Sequence, residues 1–265
     1  MTNPSPKLNA SRILTAVLLV VGGAAIFVSG FYAAERTSRV SDPAGPIKRE
    51  VLIDEAKAFV DKMGSPRYSS HEEELFVRDF FADKRNGVFV DIGASHYRDR
   101  SNTYYLETEL GWSGLAVDPL PEFAEDYRKH RPRTKYITMF VSDKSDERAT
   151  LHVGKHSLFS SAERGHTNAF TDVDKTVTAP TITLNDLLAT ARIEKIDFLS
   201  IDVELHEPQV LAGFNIDKVK PQLVCVESLP PVRQQVLDYF AAHRYVVVAD
   251  YLRADPLNLW FKPLP

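Results

Sequence analysis

The chain has 265 residues, a formal net charge of -4 at pH 7 and 44% hydrophobic residues. This composition is typical of a globular protein and argues against a disordered chain. The charge gives no reason to expect nucleic-acid binding, which usually needs a basic surface. The single cysteine, Cys225, excludes an intramolecular disulfide, so cysteine usage does not indicate a compartment.

The first notable segment is an apolar run near the N-terminus. Residues 13–34 contain no charged side chain, and about 20 apolar residues are enough for a helix to span a bilayer. The run is longer than the apolar region of a cleaved signal peptide, which has roughly 7–15 residues. We therefore predict a single-pass membrane anchor over residues 13–34, after a short tail of residues 1–12. Positive charge flanks both ends, so the orientation stays open.

A linker and a helix are expected between the anchor and the folded domain, over residues 35–66. Residues 35–49 are rich in Ser, Pro, Gly and charge, which is typical of a linker. Residues 50–63 have apolar side chains at helical spacing, and Gly64 to Pro66 end that pattern. The remaining residues, 67–265, are predicted to form one domain that opens with a second helix.

From Gly87 onward, short apolar runs alternate with helical segments. Such runs suit strands buried on both faces, and their alternation with helices predicts a parallel sheet of the α/β class. The last two runs are joined by too few residues for a helical crossover, so they should pair antiparallel. Within 142–182, L-H-V and V-T-A-P are interpreted as extra edge strands. The predicted strands of the main sheet are V-F-V-D-I, G-L-A-V-D, K-Y-I-T-M-F-V, I-D-F-L-S-I-D, L-V-C-V-E, Y-V-V-V-A-D-Y and L-N-L-W-F.

Acidic residues end five of these strands. In open parallel sheets ligands bind at the carboxyl ends of the strands, near the point where strand order reverses. One such acid can simply cap a turn or a helix, but a series of five favours a ligand site. Asp118, just past the second strand, is the candidate to accept both hydroxyls of a ribose. The five acids are Asp91, Asp118, Asp143, Asp202 and Glu227.

The turn after the first strand has small residues at Gly93 and Ala94, but it lacks the further glycines of the G-x-G-x-x-G pattern. That pattern cradles the pyrophosphate of a dinucleotide. Its absence favours a nucleoside ligand without phosphates.

Together these residues resemble the FkbM-type family of S-adenosylmethionine-dependent methyltransferases. The resemblance extends from about Tyr68 to Trp260 and depends on the order and spacing of several blocks. It implies a Rossmann-like class I methyltransferase fold, a mostly parallel seven-stranded sheet whose last strand is antiparallel. The blocks are F-V-D-I-G-A-S, S-N-T-Y-Y-L-E, E-L-G-W-S-G-L, V-D-P-L-P-E, V-S-D-K, T-I-T-L-N-D-L-L, I-D-F-L-S-I-D-V-E-L-H-E-P-Q-V-L-A-G-F and V-C-V-E.

The same resemblance implies a role for each matching position. S-adenosyl-L-methionine would be the cofactor, with its ribose held by Asp118. Enzymes of this kind mainly align two reactants, and a base can take the proton of a hydroxyl acceptor. The methionine side would be lined by Asp91, Gly93 and Ala94, with Ser95 still able to form a hydrogen bond. The adenine would lie by Ser142 and Asp143, Asp202 and Glu204 would border the meeting place of cofactor and acceptor, and the base candidates are Glu204, His206 and His96.

Three positions depart from the family pattern. Tyr97 and Leu205 stand where the family usually has glycine, and Ser200 stands where it usually has lysine. Glycine permits a positive φ or a close approach of the ligand, and neither tyrosine nor leucine does so easily. These departures predict a remodelled pocket, either for an unusual acceptor or with weak cofactor binding.

The leading hypothesis is a membrane-anchored methyltransferase that methylates a hydroxyl of a sugar, glycan or lipid-linked acceptor. A non-catalytic, membrane-anchored binding module with a degenerate methyltransferase fold is the main alternative, favoured by Tyr97 and Leu205. An NAD-dependent oxidoreductase is a third, against which the missing glycine pattern counts. No metal site is expected, because His152 and His156 lie four residues apart with no obvious third ligand.

Overall fold

The computed structural model describes residues 61–64, 68–155, 159–252, 254–255 and 257–265, which lie in a compact unit, Leu52–Pro265. The predicted tail, membrane anchor and linker lie outside the described residues. Of the helix predicted over 50–63, residues 61–63 are described, and they are helical. No helix in the described ranges is both long and apolar enough to cross a bilayer.

The main sheet has seven strands in the order β3-β2-β1-β7-β8-β10-β9. Strand β10 pairs antiparallel with both β8 and β9, and the other pairs are parallel. The predicted Rossmann-like methyltransferase sheet with an antiparallel last strand is therefore confirmed. Its strands are β1 (Val88–Ile92), β2 (Ser113–Val117), β3 (Thr134–Ile137), β7 (Phe198–Ile201), β8 (Leu223–Glu227), β9 (Tyr245–Val247) and β10 (Asn258–Pro263).

A second sheet has the order β4-β6-β5, with strands β4 (Phe140–Val141), β5 (Arg148–Gly154) and β6 (Val173–Ile182). The run K-Y-I-T-M-F-V was predicted as one strand, and this is wrong. It divides into β3, which pairs with β2, and β4, which pairs with β6 in the second sheet. The strands predicted within 142–182 exist, but they form this second sheet rather than edges of the main one. The long antiparallel pairing of β5 with β6 satisfies their backbone without the main sheet.

Helices connect the strands. The segments between the predicted strands, at 103–110, 121–130, 184–191 and 231–243, are helical, as the alternation predicted, within a few residues at their ends. The helices of the described part are α1 (Glu73–Phe81), α2 (Tyr104–Thr108), α3 (Ala124–His130), α4 (Arg164–Phe170), α5 (Leu184–Ala191), α6 (Glu207–Ala212), α7 (Ile216–Val219) and α8 (Pro230–Ala242), with 3-10 turns at Pro121–Phe123 and Ala249–Tyr251.

The two faces of the main sheet are both buried, which explains why its strands are continuous apolar runs. Side chains alternate between the faces along each strand. In β1, Val90 and Ile92 belong to a core cluster that includes residues of α5 and α8. Phe89 points to the other face, into a cluster with Trp112 and Trp260. The sheet is thus a rigid platform whose polar edge is free to carry a ligand site.

Candidate functional site

The strand order reverses at β1, which lies between β2 and β7. The carboxyl ends of these strands and of β8 form one edge, as the sequence predicted. Asp118 and Asp202 follow β2 and β7, and Glu227 is the last residue of β8. Asp143 is different, because it follows β4 of the second sheet and does not end a main-sheet strand. The edge is therefore built from three acids of the main sheet, Asp118, Asp202 and Glu227, with Asp143 following a strand of the second sheet.

Gly93 makes the tight turn after β1. Its φ is +84°, and its N–H donates to the carbonyl oxygen of Val117 at 2.9 Å. A Cβ on Gly93 would lie 1.7 Å from the carbonyl oxygen of Asp202. Any side chain would push the ends of β1 and β7 apart, so the close approach requires glycine. The N–H of Ala94 donates to the same Val117 oxygen at 3.2 Å, which completes the turn.

The next residue, Ser95, connects this turn to β2. Its backbone N–H donates to Oδ2 of Asp118 at 3.0 Å, and the N–H of Leu120 donates to Oδ1 at 2.9 Å. Burial raises the pKa of Asp118 to about 6, against the effect of these two hydrogen bonds. Each oxygen of the ionised carboxylate keeps a further lone pair, so Asp118 can still accept ribose hydroxyls.

Asp91 is a buried residue within β1. It is 3% exposed, and Oδ2 accepts the hydroxyl of Thr103 at 2.9 Å. Burial raises its pKa to about 6, while Thr103, the positive charge of Arg131 and Ser200 act in the opposite direction. Ser200, at the position of the family's lysine, accepts the side-chain amide of Asn102 at 3.0 Å. The carboxylate thus fixes the segment before α2 to β1.

Tyr97 does not occupy a position that demands glycine. Its φ is not positive, whereas Ser95 and Arg100 of the same loop have φ values of 47° and 64°. The Tyr97 ring stacks on His130, with 4.8 Å between ring centroids, and packs beside Ala94 and Tyr127. His96 accepts the backbone N–H of Asp99 on Nδ1 at 3.0 Å, which closes a local turn.

In the segment after β7, unlike at Tyr97, the backbone is left-handed at a position where the family pattern has glycine. Glu204 and Leu205 both have positive φ values, 54° and 77°. Leucine therefore stands at a position whose backbone favours glycine, which costs of order 1–3 kcal/mol. The left-handed backbone thus falls at a position where the family pattern has glycine.

Two residues that the sequence analysis missed hold Glu204 in place. Oε2 of Glu204 lies 2.6 Å from Nε2 of His166, and its carbonyl oxygen accepts the hydroxyl of Ser161 at 2.5 Å. His166 belongs to α4, which lies between β5 and β6, so this insertion packs against the site. In the sequence, the only signal for this contact is a histidine in a stretch without a clear pattern. The periodicity of that stretch does not indicate that α4 packs beside Glu204.

His206 lies with Ser142 and Asp143. Its Nε2 is 3.0 Å from Oγ of Ser142, which in turn donates to Asp143 at 3.1 Å. The ring also contacts Phe140 edge-on, with 4.9 Å between centroids. Burial lowers the pKa of His206, so the imidazole is neutral at pH 7. The sequence placed Ser142 and Asp143 near the ligand, but it did not predict that they hold His206.

Carboxylates crowd the ends of β7 and β8. Oxygens of Asp202, Glu204 and Glu227 all lie within 4.8 Å of one another. The pKa of Asp202 is raised well above its ordinary value by the protein atoms around it, then by the charges of Glu204 and Glu207, although its side chain reaches solvent. Burial likewise raises the pKa of Glu227, with the same neighbours adding to it. His152, by contrast, lies in β5, and His156 is outside the described residues.

A buried arginine stabilises the loop that follows the Gly93 turn. Arg131 is 1% exposed, and its Nε donates to Glu107 at 2.6 Å. The guanidinium also donates to the carbonyl oxygens of Tyr97 and Thr103, at 2.8 and 3.2 Å. It thus joins the end of α3 to both sides of the segment that carries Thr103.

The fold and this site define a class of protein, the Rossmann-like methyltransferases. A family model described as the methyltransferase FkbM domain matches residues 91–247, more than half of the chain. The chain belongs to this family. It is a methyltransferase, and its cofactor is S-adenosyl-L-methionine. No curated protein gives a significant match.

Several solved structures are similar to the chain. The 1,6-didemethyltoxoflavin-N1-methyltransferase of Burkholderia thailandensis is 15% identical, with 98% of this chain and 91% of that chain covered and a TM-score of 0.35. An O-methyltransferase from Bacillus cereus is 13% identical, with coverage of 82% and 87% and a TM-score of 0.35. The precorrin-6y C5,15-methyltransferase of Geobacter metallireducens is 10% identical, with coverage of 71% and 78% and a TM-score of 0.35.

The residues present fit this cofactor. Its sulfonium and ammonium groups are cationic, and the carboxyl edge of the sheet offers the carboxylates of Asp118, Asp202 and Glu227. The Gly93 turn brings backbone close to the end of β7, and Asp118 is a hydroxyl acceptor at the end of β2. S-adenosylmethionine would thus lie across β1, with its ribose at Asp118.

Proposed function

We propose that this protein is a membrane-anchored O-methyltransferase whose acceptor is a hydroxyl of a sugar, glycan or lipid-linked molecule. The observation that carries this proposal is the pair formed by Glu204 and His166, 2.6 Å apart beside Asp202. A hydroxyl must lose its proton as it becomes an ether, and a positioned carboxylate can accept that proton. An edge rich in carboxylates therefore suits an oxygen acceptor.

S-adenosylmethionine, when bound, supplies a methyl group that the acceptor oxygen takes in line, so that a C–O bond forms while the C–S electron pair returns to sulfur. The chain's own residues would hold the cofactor and orient the acceptor. Gly93 and Asp118 would fix the cofactor, and Glu204 would take the hydroxyl proton. Alignment of two reactants can supply much of the rate of such a reaction.

Glu204 is favoured over the other two base candidates. Nε2 of His206 is hydrogen-bonded to Ser142, and the imidazole ring packs against Phe140 of the second sheet. His96 uses Nδ1 to accept the N–H of Asp99. Glu204 is bonded to His166 through Oε2, and its carboxylate lies close to those of Asp202 and Glu227. His206 is then a support for the adenine side, through Ser142.

The membrane anchor is proposed from the sequence of residues 13–34, and the side of the membrane stays open. An anchor would hold the domain near an acceptor that is itself lipid-linked. This would raise the local concentration of acceptor without any added contact in the site.

The test uses the full chain in a non-ionic detergent, with methyl-labelled S-adenosylmethionine and a panel of free sugars, glycans and lipid-linked glycans. We expect label in an alkali-stable product, because methyl ethers resist base and methyl esters do not. Glu204→Gln should bind S-adenosylhomocysteine normally while its kcat falls by about 100-fold or more. His96→Gln is the matched control and should keep its kcat.

Cofactor binding without transfer to any acceptor would favour the non-catalytic binding module. Label found only in base-labile esters or on nitrogen would remove the oxygen acceptor from the proposal.

A further inference from the structure

The insertion between β5 and β6 carries two aromatic side chains at its surface. The rings of Phe159 and Phe170 stack, with 4.9 Å between centroids and 10° between ring planes. Phe170 is 42% exposed, and Phe159 is partly exposed. The apolar cluster of the second sheet, as far as the described residues form it, includes neither ring. The two phenylalanines thus pack on each other at the surface and do not belong to a core.

The segments that carry these rings also hold Glu204. Ser161, two residues after Phe159, donates its hydroxyl to the carbonyl oxygen of Glu204, and His166 lies 2.6 Å from the Glu204 carboxylate. Phe170 follows His166 by four residues in α4, so both side chains lie on one face of the helix. Their rings are in contact, with 5.1 Å between centroids. One imidazole ring therefore separates the exposed phenylalanine from the proposed base.

An exposed aromatic ring beside a base for a hydroxyl suits a sugar. A pyranose ring has hydroxyl groups around its edge and C–H groups on its faces. The C–H groups have a partial positive charge, and the face of an aromatic ring is negative, so the two attract each other. A pyranose that packs on Phe170 can direct one hydroxyl of its edge toward Glu204. A flexible alkyl chain could make the apolar contact, but it would not hold a hydroxyl at a fixed place.

The charge near Glu204 narrows the class of sugar. Oxygens of Asp202, Glu204 and Glu227 lie within 4.8 Å of one another. Burial, and then the charges of their acidic neighbours, raise the pKa of both Asp202 and Glu227. A further carboxylate, such as that of a uronic acid, would add to this repulsion. A neutral sugar avoids that cost.

We infer that Phe159 and Phe170 form the platform for the acceptor, and that the acceptor is a neutral pyranose whose ring packs on Phe170 with one hydroxyl at Glu204. The place of the hydroxyl rests on the proposed O-methylation, but binding of the sugar ring does not. The stack with Phe159 orders the Phe170 ring before the acceptor arrives, which lowers the entropy lost on binding. The sequence analysis assigned no role to this segment, because it has no clear periodicity.

The test measures binding of neutral methyl glycosides to the full chain with S-adenosylhomocysteine, in a detergent without a sugar headgroup. The probes are the methyl pyranosides of glucose, galactose and mannose. Saturation-transfer NMR measures their binding and identifies the ring protons that touch the protein. We expect at least one probe to bind, with the strongest saturation on the C–H groups of one ring face. The methyl glycoside of glucuronic acid should bind about tenfold more weakly.

Variants of Phe170 separate an aromatic contact from a merely apolar one. Phe170→Leu keeps an apolar side chain but removes the ring, so it should weaken glycoside binding about fivefold or more. Phe170→Tyr keeps the ring and should keep the affinity. Leu264→Ala is the matched control, because Leu264 is 45% exposed and lies after β10. It should bind the glycosides as the unaltered protein does, and S-adenosylhomocysteine binding shows that each variant is folded.

No binding of any neutral glycoside, or equal affinity for Phe170→Leu and the unaltered protein, would overturn the platform. Cyclohexanol that competes as well as the best glycoside would overturn the sugar and indicate an apolar acceptor. Methyl transfer to a sugar with a KM that Phe170→Leu leaves unchanged would overturn the platform and keep the proposed O-methylation. Glycoside binding that depends on Phe170, without methyl transfer to any acceptor, would support the platform and count against the O-methylation.

Discussion

The backbone N–H of Ser95 donates to the carboxylate of Asp118 at 3.0 Å, which joins the turn after β1 to the end of β2. The same carboxylate accepts the N–H of Leu120 at 2.9 Å. One side chain therefore shapes the turn expected to approach the cofactor and offers the remaining lone pairs to its ribose. Binding and local structure depend on the same two oxygens.

Asp118→Ala should abolish micromolar binding of S-adenosylmethionine. It removes the ribose acceptor and leaves two backbone N–H groups without partners, each at about 1–3 kcal/mol. Calorimetric titration of the full chain with the cofactor measures the effect. Asp99→Ala, an exposed acid of the same loop, is the control. Equal affinities for Asp118→Ala and the unaltered protein would contradict the role of Asp118.

The raised pKa of Asp118 predicts opposite effects of pH on stability and on binding. Its pKa is about 6 when folded against an ordinary value of 3.8, so the folded state holds the proton more tightly. Its contribution to stability is therefore greatest below pH 4 and falls as the pH rises to about 6, by about 3 kcal/mol at most. Cofactor affinity should instead rise over this range, because the ionised form accepts both ribose hydroxyls.

Asp118→Asn isolates this contribution, since other buried carboxylates also titrate. Denaturant unfolding gives the pH profile of stability, and calorimetric titration gives that of cofactor affinity. Both are measured between pH 4.5 and 8, in steps of about half a pH unit. We expect the variant to lose part of the pH dependence of each. Superimposable profiles for the two proteins would mean that Asp118 does not titrate in this window.

Leu205→Gly should increase stability by about 1 kcal/mol, because it relieves a φ of 77°. Thermal unfolding measures the change. Arg192→Gly is the matched control, with a φ of 58° at the end of α5 and an exposed side chain. Both variants should gain stability, but only Leu205→Gly should alter acceptor selectivity, since Leu205 lies in the turn after β7. A less stable Leu205→Gly protein would indicate that packing of the leucine side chain stabilises the fold by more than its backbone conformation costs.

The sequence predicted the main sheet well because buried parallel strands are marked by continuous apolar runs. Asp118 and Asp202 could be placed for the same reason, as each directly follows such a run. The Glu204–His166 pair could not, because it depends on how the β5–β6 insertion folds back over the edge. Tyr97 illustrates the limit of a motif comparison. Of the two positions where the family pattern has glycine, Leu205 has a left-handed backbone and Tyr97 does not.

The buried ion pair of Arg131 with Glu107 should be essential for the site. Glu107→Gln leaves a buried guanidinium without its counter-charge, which typically costs about 3–5 kcal/mol. The loop around Tyr97 and Thr103 should then loosen, because Arg131 also donates to their carbonyl oxygens. Denaturant unfolding measures the stability loss, and calorimetric titration should show weaker cofactor binding.

Helix α3 offers the matched control for this pair. Arg128 and Glu125 form an ion pair of 2.7 Å on its surface, with side chains 70% and 55% exposed. Solvent screens such a pair, so Glu125→Gln should leave both stability and cofactor binding unchanged within error. If Glu107→Gln were equally harmless, the buried network would be replaceable by water or by a neighbouring acceptor. Cofactor binding would then depend on the Gly93 turn and Asp118 alone, without support from the end of α3.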